Sequence, residues 1–157
     1  MVVIPLLAGC ASTPVALAPV GPKPTSQQPY NVKYDGAYGY LQVYSDTKEH
    51  FIDHDLPYYW HIGYNIYDDS NRKVKYVPNN IGITDETPTL VQIPQGNYRV
   101  VAESSAYGRV TVPVVIQADK TTVLNLDRGW RPSATISTNE LVRFPDGEAV
   151  GWSSVSR

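Results

Sequence analysis

Every histidine of the chain falls in one short stretch, Glu49-His50-Phe51-Ile52-Asp53-His54-Asp55, followed a little later by His61. Imidazole and carboxylate groups are ordinary zinc ligands. A spacing of four would place His50 and His54 on one face of a helical turn, with Asp53, Asp55 or His61 completing the set. Asp55 and Pro57 end any helix early, no cysteine joins the cluster, and His61 falls in a strand pattern. A metal site needs convergence in space, which this spacing does not by itself provide. The competing reading is a polar surface insertion, and no cofactor is expected. A second group is aromatic: Tyr58-Tyr59-Trp60, near Tyr64, Tyr67 and Tyr76. Exposed together, such rings form a platform for sugar rings; dispersed, they are good strand residues that cover a sheet face and reach water with their polar ends. No Gly-x-Ser-x-Gly elbow, phosphate-cradling loop or dinucleotide fingerprint occurs. Asp68-Asp69-Ser70-Asn71 lacks the glycine and distal glutamate of a calcium loop and reads as a turn.

The single cysteine, Cys10, has no partner for an internal disulfide. It follows Met-Val-Val-Ile-Pro-Leu-Leu-Ala-Gly, an apolar run closed by small residues, which is the form of a cleavable secretory segment. Leu7-Ala8-Gly9-Cys10 is similar to the bacterial lipobox, whose cysteine receives a diacylglyceryl group and becomes the mature N-terminus. Small residues at 8 and 9 give the peptidase access, and the thiol accepts the lipid. The run is too short to span a bilayer and no Lys or Arg precedes it, so the natural start is expected upstream of Met1. Two acyl chains would anchor the protein stably, each buried methylene contributing about 0.8 kcal/mol. Ala11 and Ser12 lack the aspartate that in many proteobacteria retains such proteins in the inner membrane, so the outer membrane is favoured.

The elements that must position these residues follow from size and composition. With 157 residues there is room for one domain with a hydrophobic core and flexible ends. Thirteen Lys and Arg against fifteen Asp and Glu give a net charge of -2, and only 18% of residues are charged. No basic cluster suggests nucleic acid. Twelve Tyr, thirteen Pro and eleven Gly favour strands and turns. From Ala11 to about Gln28 the chain is rich in Pro, Ala, Ser and Thr without periodicity, and reads as an extended tether.

Strand patterns begin near Gly39. Tyr40–Tyr44 places Leu41 and Val43 on one face; His61–Tyr67 alternates; and 72–77 alternates basic with apolar residues after a polar turn, so the pair reads as a hairpin with one wet face. Further strands are expected at 89–93, 98–103, 109–117 and 120–127. Pro113, without an N–H, argues for a sheet edge or bulge. Seven short strands with frequent turns predict a single Ig-like or transthyretin-like β-sandwich. Glu140–Phe144 and Glu148–Trp152, joined through Pro145-Asp146-Gly147, predict a short C-terminal hairpin, docked on the sandwich or reserved for a partner.

The succession Thr87-Pro88, Val91-Gln92-Ile93-Pro94-Gln95-Gly96-Asn97-Tyr98-Arg99-Val100, Tyr107, Val112-Pro113-Val114 and Thr121-Thr122-Val123 resembles the PEGA family and the related carboxypeptidase-regulatory, transthyretin-like modules. The resemblance covers about residues 39–127. The namesake Pro-Glu-Gly-Ala is missing, and Asp46–Tyr59 has the form of an insertion. Such modules are usually accessory domains without activity of their own.

The organisation expected is a signal-peptide remnant over 1–9, a lipidated Pro-rich tether over 10–38, a PEGA-like sandwich over 39–127 and a C-terminal extension over 128–157. The leading functional expectation is a non-enzymatic, lipid-anchored protein of the bacterial cell envelope, its sandwich a structural or protein-interaction module with an envelope protein or glycan as partner and no nucleic acid. The alternatives are a glycan- or peptidoglycan-binding module using Tyr58, Tyr59, Trp60, Tyr64 and Tyr67, and a metal-binding protein using His50, Asp53, His54 and His61.

Overall fold

The computed structural model describes residues 14–24, 37–52 and 56–155. Cys10, Asp53 and His54 lie outside them. The chain is an all-β sandwich, and its described residues form twelve strands rather than about seven. Six of the seven expected strands are present as single strands, β2 (Tyr38–Tyr44), β6 (Lys73–Val77), β7 (Leu90–Pro94), β8 (Gly96–Ser104), β9 (Gly108–Ile116) and β10 (Thr121–Asn125), and the seventh in part, as β5 (Tyr64–Asp68). The others are β1 (Val20–Gly21), β3 (Thr47–Phe51), β4 (Pro57–His61), β11 (Leu141–Arg143) and β12 (Ala149–Ser153).

A seven-stranded sheet in the order β11-β12-β1-β9-β8-β5-β6 faces a three-stranded sheet, β10-β2-β7, while β3 and β4 pair only with each other. Alternation decides which side chains meet between the sheets. Val110, Val112, Val114 and Ile116 of β9 and Val100 of β8 are buried against Leu41 and Val43 of β2 and Leu124 and Leu126 near β10. Thr122 shares the inward face and bridges the layers, its hydroxyl donating to the Val115 carbonyl at 2.8 Å. Pro113 lies in a strand whose second side is paired only at Val20↔Val114, which accommodates a residue without an N–H.

Three expectations need correction. The stretch read as a tether is in part core: Val15 and Leu17 pack on the interior, Val20 is 0% exposed, and β1 pairs antiparallel with β12 and parallel with β9. Close approach makes this possible, since a Cβ at Gly151 would stand 2.5 Å from Val20 Cγ1. The predicted strand 61–67 is two strands in different sheets, broken at Ile62-Gly63, where a side chain on Gly63 would collide with the Tyr76 hydroxyl at 2.3 Å. The β5–β6 hairpin exists, but β6 has no dry face over residues 73–76. It is the outer edge of its sheet, and only Val77 is buried.

The C-terminal hairpin β11–β12 is docked. Val142, Phe144 and Val150 enter the core, and the Phe144 ring stacks on Tyr107 with centroids 4.6 Å apart. The Tyr107 hydroxyl accepts the Asp146 N–H at 3.2 Å, tying the predicted turn to the β8–β9 connection.

Candidate functional site

The β3–β4 ribbon carries the predicted chemistry. Its sequence, Thr-Lys-Glu-His-Phe against Pro-Tyr-Tyr-Trp-His, pairs Thr47 with His61 and Phe51 with Pro57. An isolated two-stranded ribbon is marginal in water; a polar knot at its root holds this one. Asn79 is buried with φ of 65°, a left-handed conformation that Asn tolerates better than most residues. Its Nδ2 donates to the Val43 carbonyl and to Ser45 Oγ, both at 2.9 Å, and its Oδ1 accepts the Thr89 N–H at 3.1 Å. Ser45 in turn donates to the Ile62 carbonyl at 2.6 Å.

His61 belongs to this root. It is buried, its Nδ1 lies 2.6 Å from the Ser45 carbonyl and so donates to it, and its ring meets Tyr44 edge-on at 5.5 Å. His50 is exposed on the opposite face of the ribbon and stacks on Trp60, centroids 3.9 Å apart. The two histidines are therefore not brought together. No group of three or more His, Cys, Asp or Glu converges among the described residues.

The aromatic platform is likewise not assembled as predicted. Tyr64 is 1% exposed in the core, where burial pushes its phenol pKa well above the ordinary range. Tyr67 sits half-buried on β5 beside Arg99 and Lys73 of the neighbouring strands. Tyr58, Tyr59 and Trp60 are consecutive on β4, so Tyr58 and Trp60 share the His50 face of the ribbon and Tyr59 takes the other, with Glu49. The loop after Asn79 is bonded across them: Trp60 Nε1 donates to the Ile83 carbonyl at 3.1 Å, and Glu86 accepts the Tyr59 N–H at 2.7 Å. Asp85 in the same loop is held below the usual carboxylate range by the Thr87 hydroxyl and N–H.

Ribbon and loop leave apolar side chains in water. Leu56 is 80% exposed, Ile83 65%, and Phe51 and Ile81 are close to 60%. Glu49 lies on the same ribbon and Asp85 and Glu86 in the same loop, and none makes an ion pair among the described residues. Large apolar side chains left exposed on neighbouring elements are a feature of interaction surfaces when they are contiguous.

A second feature was not foreseen. A groove of about 550 Å³ opens on the outer face of the three-stranded sheet, walled by Trp130 and Trp152 and floored by Tyr44, Val123 and Asn125. Trp130 lies in a loop and Trp152 in the C-terminal hairpin, so only the pairing of that hairpin with β1 brings them together. The chain matches no protein-family model, no curated protein and no solved structure.

Proposed function

We propose that this chain is a lipid-anchored bacterial envelope protein, acylated on Cys10 and directed to the outer membrane, whose PEGA-like sandwich serves without catalysis as a protein-interaction module. The observation that carries the interaction reading is the set of apolar side chains left in water on the ribbon, Phe51 and Leu56, and on the adjoining 79–89 loop, Ile81 and Ile83, with the ribbon fixed at its root by Asn79 and Ser45. The acidic rim of Glu49, Asp85 and Glu86 selects a partner that presents an apolar side chain flanked by Lys or Arg. The lipobox-like Leu7-Ala8-Gly9-Cys10 supports the anchor, and the PEGA-like motif residues support an accessory module.

The anchor has a geometric consequence. Val15 follows Cys10 by five residues and already packs against the core. At about 3.3–3.6 Å per residue, at most roughly 18 Å of chain separates the lipid from the body. The sandwich would ride against the membrane instead of standing off it.

Two measurements test the proposal. Labelled palmitate should enter the wild type but not Cys10→Ser, and globomycin should accumulate a precursor; normal maturation without label removes the anchor. A photo-crosslinking residue at Ile83 should give one discrete protein adduct in intact cells, lost in Phe51→Ser and absent when the crosslinker is placed at exposed Thr111. Equal adducts at both positions, or none at Ile83, overturn the interaction surface.

A further inference from the structure

The groove beneath Trp130 and Trp152 has the chemistry of a second, separate binding site. The two indoles are tilted at 56° with centroids 6.2 Å apart, so they form an angled apolar wall rather than a closed stack. Beneath them run Thr121, Val123 and Asn125, the outward residues of β10, with Tyr44 from the paired strand β2. Lys23 reaches in from the segment after β1, its Nζ 5.8 Å from the Trp152 ring centroid. Asp127 closes one end; its Oδ1 accepts the Gly129 N–H at 3.0 Å, and Oδ2 has no partner among the described residues.

Thr121 lines the groove with an unmet polar group: its Oγ1 is shielded from water and has no hydrogen-bond partner among the described residues. An unpaired buried hydroxyl destabilises the protein alone. A ligand in the groove meets it once the Thr121 side chain turns about χ1. Asn125 is similarly underused, its Nδ2 reaching only the Val150 carbonyl at 3.4 Å.

We infer that this groove binds a saccharide unit, its C–H face laid on the Trp130, Trp152 and Tyr44 rings and its polar rim met by Thr121, Asn125 and Asp127. Sugars are amphipathic in the way this lining is, with an apolar ring face and a hydroxyl or acetamido edge. A simple anion is disfavoured because, among the described residues, the groove's lining holds one cation, Lys23, and also the carboxylate of Asp127. An extended peptide is disfavoured because the outer edge of β10 is met at Thr122 by Pro22, which interrupts the run of pairing groups that an added strand would need. The volume is that of a small-ligand site. The site is distinct from the ribbon tip, so it stands or falls apart from the protein-interaction reading.

The test is calorimetric and fluorescence titration of the full chain in detergent with tri-N-acetylglucosamine, and in parallel with cellotriose. Saturable binding of either is expected in the wild type and in Trp60→Phe, with at least tenfold weaker binding in Trp130→Ala. Thr121→Val keeps the volume and removes the hydroxyl, so it should bind at least fivefold more weakly while melting at the same or a higher temperature. That opposite pair of effects separates ligand recognition from loss of fold. The inference is overturned if neither sugar binds saturably at millimolar concentration. It is equally overturned if binding survives both Trp130→Ala and Thr121→Val, or if Trp60→Phe alone abolishes it.

Discussion

β1 is two residues long and lies in a Pro-rich stretch, yet Val20 is fully buried between β9 and β12. The β3–β4 ribbon has five residues in each strand and a regular register, yet half of its residues are exposed, only His61 is buried, and Phe51 at its tip stands in water. Strand length therefore says little about what holds this molecule together. Contact with the shared core makes β1 structural, and its absence leaves the ribbon free to meet something else. The Asn79 knot is the boundary between these regimes: it fixes the ribbon root to β2 and the 79–89 loop and reaches no further toward the tip.

The largest effect should come from charging the short strand. Val20→Asp places a carboxylate among apolar side chains with no partner, a cost of about 4 kcal/mol or more, comparable with the whole stability of a marginal domain. Urea unfolding should show collapse of the cooperative transition for the entire sandwich. A well-folded variant would mean that residues 14–24 are dispensable and behave as the tether the composition suggests. Asn79→Ala should come next, losing about 3 kcal/mol, because it removes side-chain hydrogen bonds from buried partners and leaves alanine in a left-handed conformation. Asn79→Gly relieves the backbone part and should recover about 1 kcal/mol. Hydrogen exchange should accelerate in the ribbon before it does in β8 and β9; uniform acceleration would merge ribbon and body into one cooperative unit.

How much of this could be read from sequence follows from where the information resides. Six of the seven expected strands are present as single strands because their alternation is local: Val110, Val112, Val114 and Ile116 state their own inward face. The hairpin turn at Pro145-Asp146-Gly147 is equally local. β1 was illegible because two residues carry no period, and its burial depends on Gly151, far away in the chain. β3 was illegible for a different reason, since Thr47–Phe51 buries no face and so has no apolar alternation to detect. The split of 61–67 did leave a signal, Gly63 inside an otherwise continuous run. Of the candidate site residues, Tyr58 and Trp60 share a face of β4, while strand parity turns Tyr59 to the other face, buries Tyr64 in the core and parts His50 from His61. The Trp130–Trp152 pair is created by topology, and no spacing in the sequence announces it.

Tyr64 gives a smaller effect that bears on the body. Its hydroxyl is buried and unpaired among the described residues, so Tyr64→Phe should stabilise the protein by about 1 kcal/mol. The same burial raises the folded-state pKa of the phenol. Above about pH 10 an unfolded tyrosine releases its proton while the folded one keeps it, so the unfolded state binds fewer protons and stability falls as pH rises. Urea midpoints at pH 8 and pH 11 should therefore differ less in Tyr64→Phe than in the wild type. An unchanged difference would mean that the hydroxyl reaches water or a partner, and that this tyrosine is not sealed into the core.

The smallest effect on stability, and the sharpest on that contrast, belongs to the loop beside the ribbon. The Ile83 side chain is 65% exposed, and its carbonyl, not its side chain, accepts the Trp60 Nε1–H. Ile83→Asp leaves that bond in place and should change the unfolding free energy by no more than about 0.5 kcal/mol. Because it adds a fourth carboxylate beside Glu49, Asp85 and Glu86 and removes the apolar contact, a crosslinker placed at neighbouring Ile81 should lose its adduct in the same variant. A loss of stability well beyond that range would show the loop to be packed on the body, and the contrast between a structural β1 and a free ribbon would fail. Unchanged stability together with a lost adduct would mean that this apolar surface contributes to recognition and not to folding.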